Sequence, residues 1–277
     1  VSFGGIPMSQ PLVPQFASVS KPVIGMLHLL PLPGAPRYGG DVSAIRDAML
    51  ADAKALADGG AHALMLENFG DAPFYPGRVP ACVITHMTAL ACEVRRRFDL
   101  PLGINVLRND SRSALAVAHA AGAAFIRVNV LCGARVTDQG LIQGKAHDLL
   151  RERRQLGAES IKVLADVNVK HSAPLGVRPV EVEVHDVVER GGADAVIVSG
   201  SGTGQSADLE ELAAVKAAAA TPVFVGSGVT AGTIETLWPH ADGFIVGTAL
   251  KRDGVTTHAV DPKRVSELMG RVQALGG

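Results

Sequence analysis

A chain of 277 residues could form one large domain or two small ones; 47% hydrophobic residues, 31 glycines and only 4% aromatics favour a single core of many close helix-on-strand contacts over an aromatic-filled sandwich. With 26 basic and 27 acidic residues the net charge is -1, which gives no electrostatic footprint for nucleic acid or an anionic membrane as partner. Three cysteines, Cys82, Cys92 and Cys132, without a C-x-x-C spacing indicate neither a disulfide framework nor a zinc site and fit a reducing cytoplasm.

Residues 1–20 hold three prolines and no Lys or Arg, so they lack the basic and apolar regions of a secretory signal and read as a tail or a lid over one end of the fold. From residue 21 to 277 short β-type runs alternate with helix-type runs. The strands expected are 23–28, 62–67, 101–107, 125–130, 161–169, 195–199, 223–226 and 243–247. Helix-type segments lie between them at Ala44–Asp58, Ala81–Phe98, Ser111–Ala121, Lys145–Leu156, Val180–Arg190 and Leu209–Ala219, and a last one runs over Pro262–Ala274. Glycines suited to helix C-caps close several of them, as at Gly59-Gly60, Gly122, Gly157 and Gly191-Gly192. Eight such units with no shift in composition predict one domain, a (β/α)8 TIM barrel. An open doubly wound sheet would require Gly-x-Gly-x-x-Gly after the first strand, where L-L-P-L-P-G-A-P-R-Y-G-G stands instead. No apolar run of 18 residues is present, so no integral membrane segment is expected.

Period-two alternation sorts the strand residues. Val163, Ala165, Val167 and Val169 form an apolar row that must meet the helices, which turns Asp166, Asn168 and Lys170 inward at the C-terminal rim. The same argument turns Arg127, Asn129 and Asn105 inward, with His28 and Glu67 ending the first two strands. Barrel interiors are normally filled by Val, Ile and Leu, so a polar rim marks a candidate site at the end where barrel enzymes carry their chemistry. A buried ion pair accounts equally well for Arg127, a plain hydrogen-bonded imidazole accounts better for His28, and Asp110 suits a helix cap.

The last two strands end in Gly226-Ser227-Gly228 and Gly247-Thr248. Two adjacent glycine-ended tips can bring backbone N–H groups around one phosphate, at the location where such barrels bind it. Ser199 opens another Gly- and hydroxyl-rich run, 199–204, which reads as a second anion nest or a mobile lid. A carboxylate facing an ammonium or imidazole over an anchored phosphate is suited to moving a proton beside a carbonyl. Asp166 is the expected general base, Glu67 the second carboxylate, and Lys170 and His171 the acids or charge stabilisers. Asn105, Arg127, Asn129, Asn168 and Ser199 are expected to position substrate, and Lys170 as a Schiff-base nucleophile is a competing chemistry. No cofactor is predicted and no metal assigned; Glu67, Asp166 and His171 could meet a divalent cation, but no ligand-spacing motif supports it.

The segments K-P-V-I-G-M-L-H-L-L-P-L-P-G-A-P-R-Y (21–38), L-E-N-F-G-D-A-P-F (66–74), G-I-N-V-L-R-N-D (103–110), L-A-D-V-N-V-K-H (164–171), F-V-G-S-G-V-T (224–230) and I-V-G-T-A-L-K (245–251) resemble the BtpA/SgcQ family over roughly residues 21–275. The resemblance implies a barrel that binds phosphorylated, ribulose-like ligands, and its name comes from a role in photosystem I accumulation in cyanobacteria. Asn168 stands where many relatives have His, which sets this member's chemistry apart if that position is catalytic. The expectation from residues and resemblance together is a cytoplasmic homo-oligomer that binds a sugar phosphate or nucleotide-derived ester as an isomerase, epimerase or lyase. The alternatives are a non-catalytic assembly factor for a membrane complex and a flavin-phosphate oxidoreductase.

Overall fold

The computed structural model describes residues 11–200 and 208–276. Its strands are β1 (Val23–His28), β2 (Ala63–Glu67), β3 (Leu102–Asn105), β4 (Phe125–Val128), β5 (Ala134–Thr137), β6 (Gly140–Gln143), β7 (Lys162–Val167), β8 (Ser172–Pro174), β9 (Ala195–Val198), β10 (Val223–Val225) and β11 (Gly243–Val246). Its α-helices are α1 (Val42–Asp58), α2 (Ala81–Arg97), α3 (Ser111–Ala121), α4 (Ala146–Gln155), α5 (Val180–His185), α6 (Leu209–Ala218), α7 (Ile234–Leu237) and α8 (Pro262–Gly276). Eight parallel strands close in the order β1-β11-β10-β9-β7-β4-β3-β2, each of the expected β-runs supplying one. The fold is the (β/α)8 barrel that the alternation of runs predicts.

Alternation within each strand separates two cores. Outward residues such as Val163, Ala165 and Val167 pack against the helices, joined by Ile45, Met49, Ala53 and Leu56, which fall on one face of α1. Inward residues Ile24, Met65, Phe125, Leu164, Ile197 and Phe224 fill the barrel. Two phenylalanines fit there because the adjoining strand offers glycine: a Cβ at Gly103 would lie 2.0 Å from the Phe125 ring, and one at Gly243 would lie 2.4 Å from Phe224. Asp41 starts α1 by accepting from the N–H groups of Ser43 and Ala44, and Asp110 starts α3 by accepting from Ser113 N.

The described part of the N-terminal segment is not a loose tail. Val13 and Phe16 are buried in the barrel-interior cluster with Ile24 and Ala63, so this stretch plugs the N-terminal end of the barrel, opposite the polar rim.

One small sheet is additional to the expected elements. β6, β5 and β8 form an antiparallel sheet in that order, with β5 paired to β6 around a two-residue turn at Asp138-Gln139 and Val136 opposite Ala173 of β8. It ties the loop after β4 to the loop after β7. Its stem packs on Val130, Ile142 and Val169, a satellite cluster apart from the main core. Several barrel strands are shorter than expected because their last residues leave the ladder to build these loops.

Candidate active site

Register places the polar residues on one rim. His28 pairs with Glu67, Glu67 with Asn105 and Asn105 with Arg127 across β1, β2, β3 and β4, so four successive strands end in an inward polar side chain. Asp166 on β7 and Ser199 after β9 continue the ring, and Gly226 and Gly247 complete it without side chains. Above the rim opens a cavity of about 1550 Å³.

A polar cluster forms part of the cavity floor, where Arg127 and Asn129 reach the cavity. Arg127 Nε donates to Asp166 Oδ2 at 2.9 Å and its Nη2 to Oδ1 at 2.7 Å; Asn129 Nδ2 adds 3.0 Å to Oδ2 and Ser199 Oγ adds 2.9 Å to Oδ1. Asn105 Nδ2 donates to the Arg127 carbonyl at 3.1 Å. Four donors thus occupy both oxygens of Asp166, which is 4% exposed and does not line the cavity. Its oxygens are committed to protein donors. Asp166, the expected general base, is thus paired with protein groups, and Asn105 and Ser199 beside it do not line the cavity either.

Glu67, Lys170 and His28 instead border the cavity. Burial raises the Glu67 carboxyl above its ordinary range, opposed by Arg127 and Lys170. Burial lowers the Lys170 ammonium, with Arg127 adding to it and Glu67 and Asp166 pulling back. His28 is driven down to about 3 by burial and then by Lys251 and Lys170, so it is a neutral imidazole, stacked on Phe69 at 4.6 Å, with Nε2 3.6 Å from Glu67 Oε1. A carboxyl pushed up and an ammonium pushed down approach one another in proton affinity, which suits proton exchange. The sequence reading favoured the plain role for His28, since a lone imidazole at a strand end carries no other signal.

Across the mouth, the tips after β10 and β11 form the expected cup. Gly226, Ser227, Gly228, Gly247 and Thr248 all line the cavity. Among the described residues no acceptor pairs with the backbone N–H groups of Gly228, Val229, Gly247 or Thr248. Gly228 has φ +70°, which turns its peptide toward the others, and Thr233 Oγ1 fixes it by donating to its carbonyl at 2.8 Å. A Cβ at Gly247 would lie 2.9 Å from the His28 ring, so glycine keeps this tip against the rim. Unpaired N–H groups at two adjacent glycine-ended tips have the donor chemistry that suits an oxyanion.

The remaining expected residues divide. Asn129 and His171 line the cavity, and the chain around Lys170 is held by Arg108, whose Nη2 donates to the Lys170 carbonyl at 2.6 Å. Asn168 does not join them. β7 ends at Val167, Asn168 takes φ +52°, and its side chain faces outward to Arg135 at 2.8 Å and Glu211 at 2.8 Å. The alternation argument fails there because it assumed one more strand residue. Of the run 199–204, positions 201–204 lie outside the described residues. Cys132 is half-buried, its thiol raised by burial and then by Asp186, so it is not an activated nucleophile. Among the described residues no three His, Cys, Asp or Glu side chains are placed to hold a metal ion. Arg108, Asp138 and Gln139 also reach the cavity, and sequence gave them no role beyond their strand-end loops.

The BtpA family model matches residues 19–274. The chain belongs to the BtpA family. Among BtpA-family relatives, the photosystem I biogenesis protein BtpA of Synechocystis is 50% identical over 247 residues, covering 89% of this chain and 86% of that protein. An uncharacterized protein of Thermococcus kodakarensis is 47% identical, covering 90% and 94%, and an uncharacterized mitochondrial protein of Caenorhabditis elegans is 33% identical, covering 95% and 98%. In fold, this BtpA-family chain is similar to N-(5'-phosphoribosyl)anthranilate isomerase of Pyrococcus furiosus, with a TM-score of 0.56 at 15% identity over 92% of this chain and 99% of the other. It is similar also to tryptophan synthase of M. tuberculosis, with a TM-score of 0.59 at 20% identity over 96% and 98%. No helix among the described residues is long and apolar enough to cross a membrane.

Proposed function

We propose that this chain binds a small phosphorylated metabolite at the C-terminal face of the barrel and moves a proton on it, as an isomerase, epimerase or lyase. The observation that carries the reading is the cup of unpaired N–H groups at Gly228, Val229, Gly247 and Thr248, set on the same rim as Glu67 and Lys170. The cup would hold the phosphate, and that remote contact would supply the energy to hold the reacting carbon over the rim. Glu67 would take the proton as general base, the Lys170 ammonium would steady the enolate oxygen that develops, and neutral His28 would keep Glu67 oriented. Asp166 would act through Arg127 and Asn129, fixing the floor. The barrel relatives in fold include proteins named for phosphoribosylanthranilate and thiamine phosphate, which is consistent with a phosphate-anchored ligand.

A thermal-shift screen of phosphorylated metabolites tests the reading. A ligand present at 100 times its dissociation constant stabilises by about 2.7 kcal/mol, a visible shift. Gly228→Asp, which places a carboxylate in the cup, should erase the shift. If no sugar phosphate, nucleotide or inorganic phosphate moves the melting temperature of the parent protein, the reading fails.

A further inference from the structure

Arg108 is a buried cation at the cavity that the proposed proton transfer does not use. It follows β3, is 5% exposed and lines the cavity. One guanidinium nitrogen, Nη2, is used on the Lys170 carbonyl, while Nε is buried with no hydrogen-bond partner, and the side chain closes no ion pair among the described residues. Asp166, which attracts it, is already saturated by Arg127, Asn129 and Ser199. A guanidinium desolvated with an unused N–H is costly unless something accepts from it.

Barrel topology fixes where that acceptor would lie relative to the phosphate cup. In the ring β1-β11-β10-β9-β7-β4-β3-β2, β3 stands four strands from β10 in either direction, so the tip carrying Arg108 is diametrically opposite the tip carrying Gly226 to Gly228. Lys170 after β7 and Glu67 at the end of β2 stand on the rim between the two ends. With Arg127 paired to Asp166 and Arg264 to Asp261, the Lys and Arg side chains of the mouth without an ion pair among the described residues are Arg37, Arg108 and Lys170; Arg37 is exposed, whereas Arg108 is buried.

We infer that the ligand is anionic at both ends, with its phosphate in the cup after β10 and β11 and a second anionic group, carboxylate or phosphoryl, received by Arg108. The inference rests on the phosphate reading above and adds to it a substrate class and the residue that selects it. With Nη2 on the Lys170 carbonyl, the planar guanidinium has N–H donors left to donate to either group, in a fixed array that an ammonium cannot reproduce. The reacting carbon would then be suspended between two fixed ends, over Glu67.

Three probes separate the possibilities: glycerol 3-phosphate, with one anionic end; 3-phosphoglycerate, with phosphate and carboxylate; and fructose 1,6-bisphosphate, with two phosphoryl ends. Titration calorimetry on the full chain should show at least one two-ended probe binding about tenfold or more tightly than glycerol 3-phosphate. Whichever of the two gains identifies the second group. Arg108→Met should collapse the ratio of two-ended to one-ended affinity toward one, and Arg108→Lys, which keeps the charge, should lose most of it while still binding inorganic phosphate, which covers the case in which the Met variant does not fold. Equal affinities for one-ended and two-ended probes, with glycerol 3-phosphate bound and displaced by Gly228→Asp, overturn the second anion site and leave the cup standing. A ratio that survives both substitutions assigns the selection elsewhere and overturns the role of Arg108. Absence of binding by all three probes and by inorganic phosphate removes the phosphate reading and this inference with it.

Discussion

Arg127 grips both oxygens of Asp166, Nε at 2.9 Å from Oδ2 and Nη2 at 2.7 Å from Oδ1, with both side chains buried under the barrel mouth. Removing one partner leaves the other charge without compensation in a place water does not reach. Asp166→Ala should therefore lower stability by about 3–5 kcal/mol in urea unfolding, and Asp166→Asn by less, because the amide still accepts one hydrogen bond. An alanine variant as stable as the parent would show that the pair is not supporting the rim.

Glu67 carries the proposed proton transfer, and its carboxyl has no role in the cup. Glu67→Gln should retain the phosphate-dependent thermal shift while exchange of solvent deuterium into a bound phosphorylated ligand, followed by NMR, slows by about 10²–10⁴-fold. Retained exchange would move the base elsewhere on the rim.

His28 predicts an acid-side loss of stability. Its folded-state pKa is about 3 against an ordinary 6.5, so between those values the unfolded chain takes up a proton that the folded chain refuses. Its contribution to stability is complete above the upper value and is lost as pH falls toward the lower one, with a slope of at most about 1.4 kcal/mol per pH unit from this group. Glu67 raised by burial works in the opposite sense, losing stability as pH rises through its folded pKa. Urea midpoints measured from pH 7 to pH 4 should thus fall less steeply in His28→Gln than in the parent protein.

Gly103 lets Phe125 occupy the barrel centre, since a Cβ there would sit 2.0 Å from the ring. Gly103→Ala should cost about 1–3 kcal/mol or more by overpacking, and Phe125→Leu in the same chain should recover part of it. Additive effects in the double variant, measured by thermal melting, would disprove the contact's role.

The eight barrel strands are legible because each couples a short β-run to an amphipathic helix; alternation turns Asn105, Arg127, Asn129 and Asp166 inward, and Glu67 joins them as the residue that ends its strand. The glycine-ended tips are legible as adjacent strand ends, although either one alone reads equally as an ordinary tight turn between strand and helix. What alternation cannot see is partner count. Asp166 faces inward as expected, but only the fold reveals that Arg127, Asn129 and Ser199 exhaust its oxygens. Asn168 was misplaced because a single residue at positive φ reverses the side on which a side chain emerges. The small antiparallel sheet was hidden by its short strands, although V-T-D-Q-G-L-I does set a turn sequence between apolar residues; its third strand, Ser172–Pro174, arrives from a distant loop that no local pattern announces. Arg108 lay in a loop where an arginine is usually solvated.

That small sheet has a consequence for how the mouth meets its guest. Lys170 sits on a bridge of only a few residues between Val167, where β7 ends, and Ser172, where β8 begins, and both abutments are nailed into sheets. The backbone that carries this ammonium is consequently held at both ends, so ordering that segment adds no cost to whatever enters the mouth.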